Sequence, residues 1–262
     1  MSQPEILAFL AAIWPHDLID CPKIRIGGDG DGGYVLPAIA LLCQRLLSVG
    51  IGNNMQFDLE LASFGLKVLQ LDHTIMVPPA FHRNCHFLRF GLGRTSRENL
   101  LAFSDILTIF DKVGQGESVL KFDIEGAEYD AFSDVPASTL SGFDVIVCEY
   151  HDLHKLPKRD FLMKALAVVR KFAEHHVAVH IHPNNYRAIH IIHGIPVPEV
   201  VEVTYIHRKF ANTGALSLGP IPGELDVPND PNGADLPYPP TGEKRSALIE
   251  ALRTVSVNPP AG

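Results

Sequence analysis

The sequence predicts an α/β fold in which helices cover both faces of a mostly parallel sheet. Three observations point there. Short apolar runs recur at 46–50, 67–72, 118–123 and 143–150, with the length and character of buried strands. Segments with helical periodicity lie between such runs, as parallel connections require. The chain has 262 residues, 46% of them apolar, enough for a well-buried core in one α/β domain with extensions or in two small domains.

Taken in order, "ILAFLAAIW" (6–14) reads as a short amphipathic helix ended near Pro15. "KIRIGGDGDGGYVLP" (23–37) is a strand that enters a glycine-rich turn and leaves it extended. Its glycines make positive φ inexpensive and let a ligand or another segment approach closely. Asp29 and Asp31 can accept hydrogen bonds there from a ligand or from the turn itself. The turn lacks the Lys-Ser or Lys-Thr ending of a P-loop and the spaced glutamate of a calcium loop.

"LLSVGIG" (46–52) reads as a buried strand, and "NNMQFDLELASFG" (53–65) as a helix capped by Asn53 or Asn54, with Phe57, Leu61 and Phe64 on one face. Gly65 is its stop signal. "KVLQLD" supplies a second strand ending at Asp72, and "CHFLRFGLG" (85–93) a third, followed by a helix from about Arg97 toward Lys112. "SVLKFDIEG" is a fourth, ending near Asp123, and "FDVIVCEYH" a fifth. Residues 158–175 form a helix with Phe161, Leu162, Ala165, Val168, Val169 and Phe172 on one face. "VAVHIHP" and "VEVTYIHRKF" are the final strands. Beyond Ala211 the chain turns rich in Gly and Pro and reads as an extended arm or mobile tail, with a short helix over 243–253. The resulting organisation is an N-terminal helix and glycine-rich cover element (1–40), an α/β domain (41–210) and a proline-rich arm (211–262).

A formal charge of -8 argues against nucleic acid as a partner. Four cysteines, at 21, 43, 85 and 148, show no CxxC spacing. No signal peptide and no apolar run of about 18 residues is evident, so a membrane span is not expected and a cytoplasmic, reducing setting fits best. A small-molecule partner is expected, and homo-oligomerisation is left open.

Gly50 and Gly52 fall at a strand-to-helix turn, where backbone N–H groups and a helix N-terminus favour a carboxylate, phosphate or ribose. Asp72, at the end of the next strand, is placed to accept hydrogen bonds from ribose hydroxyls. "GIGNN" is not the GxGxxG fingerprint, so a nicotinamide dinucleotide is not implied. Asp123 and Glu125 follow another strand, where open α/β sheets place their crevice, and both are candidate cofactor contacts; Gly126 permits close approach. Glu128 reads as a cap of the next helix or a contact around it.

"LLSVGIG", "VLQLD" and above all "VLKFDIEGAEYDAF" followed by "FDVIVCEYH" resemble the FkbM-like branch of S-adenosylmethionine-dependent methyltransferases. "RIGGDGDGGYVL" resembles an N-terminal element of related proteins. The similarity spans about residues 24 to 210. It implies a seven-stranded, Rossmann-like methyltransferase sheet, with Gly50 and Gly52 near the methionine or sugar of the cofactor, Asp72 on the ribose hydroxyls, and Asp123 at the boundary of cofactor and acceptor.

In "CEYHDLH", Glu149 and His151 sit at the end of the fifth strand, and alternation places His180 and His182 on one face of theirs. A neutral His151 or His182 can take the proton of a hydroxyl acceptor, with Glu149 orienting the imidazole. Asp123, Glu149, His151 and His182 also compose a metal-ligand set if their strand ends converge, although no compact motif such as HExxH is present. The expected activity is methyl transfer from S-adenosylmethionine to a hydroxyl of a small molecule, such as a carbohydrate or natural product, with a divalent metal left open. The alternatives are a metal-assisted hydrolase and a noncatalytic nucleoside-binding or interaction protein.

Overall fold

The computed structural model describes residues 3–239 and 243–257. Its centre is a seven-stranded sheet of β1 (Arg45–Val49), β2 (Lys67–Leu71), β3 (Cys85–Leu88), β4 (Ser118–Phe122), β5 (Val145–Tyr150), β6 (His176–Pro183) and β7 (Val201–His207). Their spatial order is β6-β7-β5-β4-β1-β2-β3. Neighbours from β5 through β4, β1 and β2 to β3 are parallel, whereas β7 runs antiparallel to both β5 and β6. The winding reverses between β1 and β4, which opens a crevice beyond their C-terminal ends.

Every residue of β4 and β5 is buried, because both faces of the sheet are covered. Alternation sorts their side chains into two cores. On one face Leu47, Val49, Leu69, Leu120, Phe122 and Ile146 pack with α1 (Gln3–Ile13), α3 (Phe103–Val113) and α6 (Arg159–His175). On the other, Leu46, Val68, Val119, Val145 and Val147 pack with α2 (Gln56–Ser63) and with Tyr34 and Leu36 of the N-terminal ribbon. That ribbon is the hairpin Lys23–Ile26 with Tyr34–Pro37, and Thr204 of β7 donates to the Val35 carbonyl at 2.7 Å. Two short helices, α4 (Glu128–Ala131) and α5 (Ala137–Leu140), follow β4, and α7 (Glu243–Val257) packs on α1.

Three expected boundaries shift. The third strand keeps only Cys85–Leu88 in the sheet, while Gly91–Gly93 leaves it to pair in parallel with Leu100–Ala102. The helix expected from Arg97 begins at Phe103, because Arg97 and Leu100 close a tight turn with Glu98 at φ 50. Ser96 then stops the turn by accepting the Ala102 N–H at 2.8 Å. Helix α2 begins at Gln56, whose N–H is accepted by Asn54 Oδ1 at 3.0 Å.

The proline-rich arm is fastened to the sheet. His180 meets Asp226 at 2.8 Å, His182 meets Asp235 at 3.0 Å, and Asn229 donates to Glu202 at 2.6 Å. Tyr238 is buried, donates to the Pro196 carbonyl and lies 5.7 Å from the Trp14 ring. Positions 1 and 2 of the expected cover element, and 240–242 and 258–262 of the expected arm, lie outside the described residues. The helix expected over 243–253 runs to Val257. No helix among the described residues is long and apolar enough to cross a membrane.

Candidate functional site

The site begins where β1 ends. Gly50 has φ +77, and a Cβ there would lie 1.7 Å from the Asp123 carbonyl oxygen. Its missing side chain therefore serves the contact between the turns after β1 and β4. Lys121 of β4 closes the same junction by donating from Nζ to the Gly50 carbonyl. Gly52, at φ +51, has nothing within 4 Å of its own Cβ position.

Asp72 is tied to this turn. Oδ2 accepts the N–H groups of Ile51 at 3.1 Å and Gly52 at 2.8 Å, and Oδ1 accepts the N–H and hydroxyl of Thr74 at 2.7 and 2.6 Å. Burial alone raises its pKa, but these donors outweigh burial and hold it below the usual range. A carboxylate has about four acceptor positions, and all are in use. Asp72 thus shapes the glycine turn directly, and a ribose hydroxyl has to exchange with one of these donors to reach it.

A cavity of about 410 Å³ opens beyond the ends of β1, β2 and β4, within the range of small-molecule sites. Gly50, Gly52, Asp72, Asp123 and Glu125, the five residues expected at a cofactor, all line it. Asp31 of the glycine-rich ribbon and Lys121 join them.

Behind one wall lies a cluster of carboxylates around His151. Its Nδ1 is 2.9 Å from Glu128 Oε1, and its Nε2 is 3.2 Å from Glu149, 3.5 Å from Glu125 and 3.8 Å from Asp123. Burial of the imidazole lowers its pKa, but hydrogen bonds and charge from Glu128 and Glu149 prevail and hold it up to about 11. His151 is consequently an imidazolium at neutral pH here, in contrast to the neutral base expected from sequence. Asp123 is pushed up to about 7, first by burial and then by the Glu149 charge, against the pull of Lys121 and His151. Tyr34 Oη donates to Asp123 Oδ2 at 3.4 Å, while Asp123 Oδ1 and Glu128 Oε2 are buried without a hydrogen-bond partner. Two loop residues here adopt left-handed backbone, Glu125 at φ 55 and Asp152 at φ 63, which for non-glycine residues costs about 1–3 kcal/mol each.

His182 does not join this cluster. It is fully buried between Glu202 at 3.2 Å and Asp235 at 3.0 Å and does not line the cavity. Antiparallel pairing explains this: His182 faces Glu202, which in turn faces Glu149, so a whole strand separates His182 from the end of β5. The trio whose ligand atoms lie within 4.8 Å of one another is Asp123, Glu125 and His151. The expected metal set therefore loses His182 and gains Glu125, with Glu149 still against His151.

Sequence reasoning passed over Lys121 and underrated Glu128. A lysine inside the apolar run "SVLKF" was the available signal, since buried lysines are rare without a partner. Glu128 carried none, because a carboxylate at a helix start is common for electrostatic reasons alone. No family model matches the chain, and no curated protein matches it.

Proposed function

We propose that the chain is an S-adenosylmethionine-dependent methyltransferase acting on a hydroxyl of a small molecule such as a carbohydrate or natural product. One observation carries this reading: the five residues singled out for the cofactor line one cavity at the point where the winding of the sheet reverses. A seven-stranded, mostly parallel sheet is also compatible with the fold that the FkbM-like resemblance implies.

When bound, the sulfonium supplies an already activated methyl carbon, and the protein's part is alignment and management of the acceptor proton. The glycine turn presents backbone groups at the cavity wall, with Asp72 fixing their direction. Asp123, poised near neutrality, is the group suited to take the proton of the acceptor hydroxyl. His151 stays charged, stabilises the carboxylates around it and holds Glu149 and Glu125 toward Asp123. His182, enclosed in its own ion pairs, takes no part.

Calorimetry of the folded protein with S-adenosylmethionine and S-adenosylhomocysteine tests the donor. Binding is expected, weakened at least tenfold in Asp72→Asn, and labelled methyl is expected on a member of a hydroxyl-acceptor panel. No binding by the folded wild type would sink the reading. Binding without transfer across the panel would favour a noncatalytic nucleoside-binding protein.

A second reading, metal-assisted hydrolysis without the methyl donor, is favoured by the convergence of Asp123, Glu125 and His151. A divalent ion held there would polarise a substrate oxygen or a water. Metal-dependent hydrolysis by a protein that ignores S-adenosylhomocysteine is its signature.

A further inference from the structure

We infer that Asp123, Glu125, Glu149 and His151 form a binding site for one oxygen-preferring divalent cation, with Glu128 as the positioning residue that holds His151. The inference rests on the cluster named in the second reading but not on its reaction.

The first argument is stoichiometric. Three carboxylate oxygens, from Glu149, Glu125 and Asp123, lie 3.2, 3.5 and 3.8 Å from the same ring nitrogen. One N–H points along one axis and satisfies one acceptor well. Glu125 turns to solvent, but Asp123 Oδ1 is buried with no hydrogen-bond partner at all. A buried carboxylate oxygen left so is costly, and a cation supplies what is missing.

The second argument is geometric. Bonds of about 2.1–2.4 Å in an octahedron put adjacent donor atoms about 3.0–3.4 Å apart. Of the separations from Nε2, that of Glu149 at 3.2 Å lies inside this range and those of Glu125 at 3.5 Å and Asp123 at 3.8 Å lie above it, and the ligand atoms of Asp123, Glu125 and His151 all lie within 4.8 Å of one another. Carboxylates with one imidazole suit a hard or borderline ion. Cys148, next to Glu149, takes no part, since its Sγ meets the Val203 carbonyl within the sheet.

The third argument is the support behind the ligands. Glu128 is fully buried, accepts the Gly126 N–H at 3.1 Å and meets His151 Nδ1 at 2.9 Å. Fixing Nδ1 in this way turns Nε2 toward the other carboxylates, the relay by which metal-binding histidines are oriented. The left-handed backbone of Glu125 brings its carboxylate back over His151 while leaving the side chain 85% exposed. An ion can therefore enter from the cavity side. Among the described residues this is the one such trio.

The test is Mn²⁺ titration of the full chain, followed by loss of the free-ion electron paramagnetic resonance signal, with nitrogen-15 spectra of labelled histidine in parallel. One equivalent is expected to bind, with the His151 Nε2 resonance moving as it exchanges its proton for the ion. Glu125→Gln, at an exposed side chain that folding does not need, should weaken binding at least tenfold. Glu128→Gln should weaken it about 10–100-fold and change the His151 resonances before any metal is added. No uptake by wild type at millimolar Mn²⁺, or wild-type uptake by Glu125→Gln, overturns the site. Wild-type uptake and unchanged histidine resonances in Glu128→Gln overturn the positioning role. Adding S-adenosylhomocysteine to the same samples separates the readings: Mn²⁺ uptake without nucleoside binding upholds the site and removes the methyl donor, and the converse removes the site alone.

Discussion

Gly50 and Gly52 look alike in the sequence, yet they bear different loads. A methyl group at Gly50 collides with the Asp123 carbonyl at 1.7 Å, so the turns after β1 and β4 would have to part. Gly50→Ala is expected to cost at least about 4 kcal/mol, the range reserved for steric failure in a core. Gly52→Ala meets open space and carries only the penalty of its positive φ, about 1 kcal/mol. Urea denaturation of the two variants checks the contrast, and equal losses would contradict it. Asp72→Ala strands four donors, two of them the N–H groups that shape the glycine turn, and should cost about 2–4 kcal/mol even with no ligand present. The residue types were legible in the sequence as turn and carboxylate. Which distant partner each one meets was not, because Asp123 reaches Gly50, and Asp72 reaches the Ile51 and Gly52 N–H groups, only through the fold.

At the scale of strands and helices, β6 carries a titration of its own. His176 opens that strand fully buried and donates from Nε2 to the Phe143 carbonyl at 2.8 Å. Burial pushes its pKa down to about 4, with the backbone hydrogen bond opposing. The folded pKa lies below the ordinary histidine value of about 6.5, so the unfolded chain takes the proton first as pH falls. Stability from this residue is complete above about pH 6.5 and declines toward pH 4, by roughly 3 kcal/mol in all. Urea midpoints at pH 7.5 and 4.5 should differ less in His176→Gln than in wild type; an equal difference would refute the assignment. The strands themselves were readable because two-sided burial leaves β4 and β5 almost without polar interruption. The start of α3 was misread because Leu100 and Leu101 continue a helical spacing while pairing with Gly91 and Leu92 instead. A three-residue parallel ribbon has too few positions to display a period of two.

Across the whole molecule, the Gly- and Pro-rich composition of the arm indicated little regular structure and gave no sign of its attachments. Those attachments are buried pairs, and breaking one from a single side commonly costs 3–5 kcal/mol. Removing residues 217–262 strips Asp226 from His180 and Asp235 from His182, and should lower the melting temperature by at least about 10 °C. An unchanged transition in that truncation would show that the arm is not part of the folded unit. The partners lie far apart along the chain, which is why no local pattern announces them. The same distance orders events during synthesis. Apolar α1 buries Ile6, Phe9, Leu10 and Ile13 against α6 and α7, and Trp14 donates to the carbonyl of Ser217. At about 5–20 residues per second, α1 waits roughly 12–48 s after its own synthesis for the last of these surfaces. Throughout that interval the nascent chain presents a bare apolar helix, the kind of segment that chaperones shield.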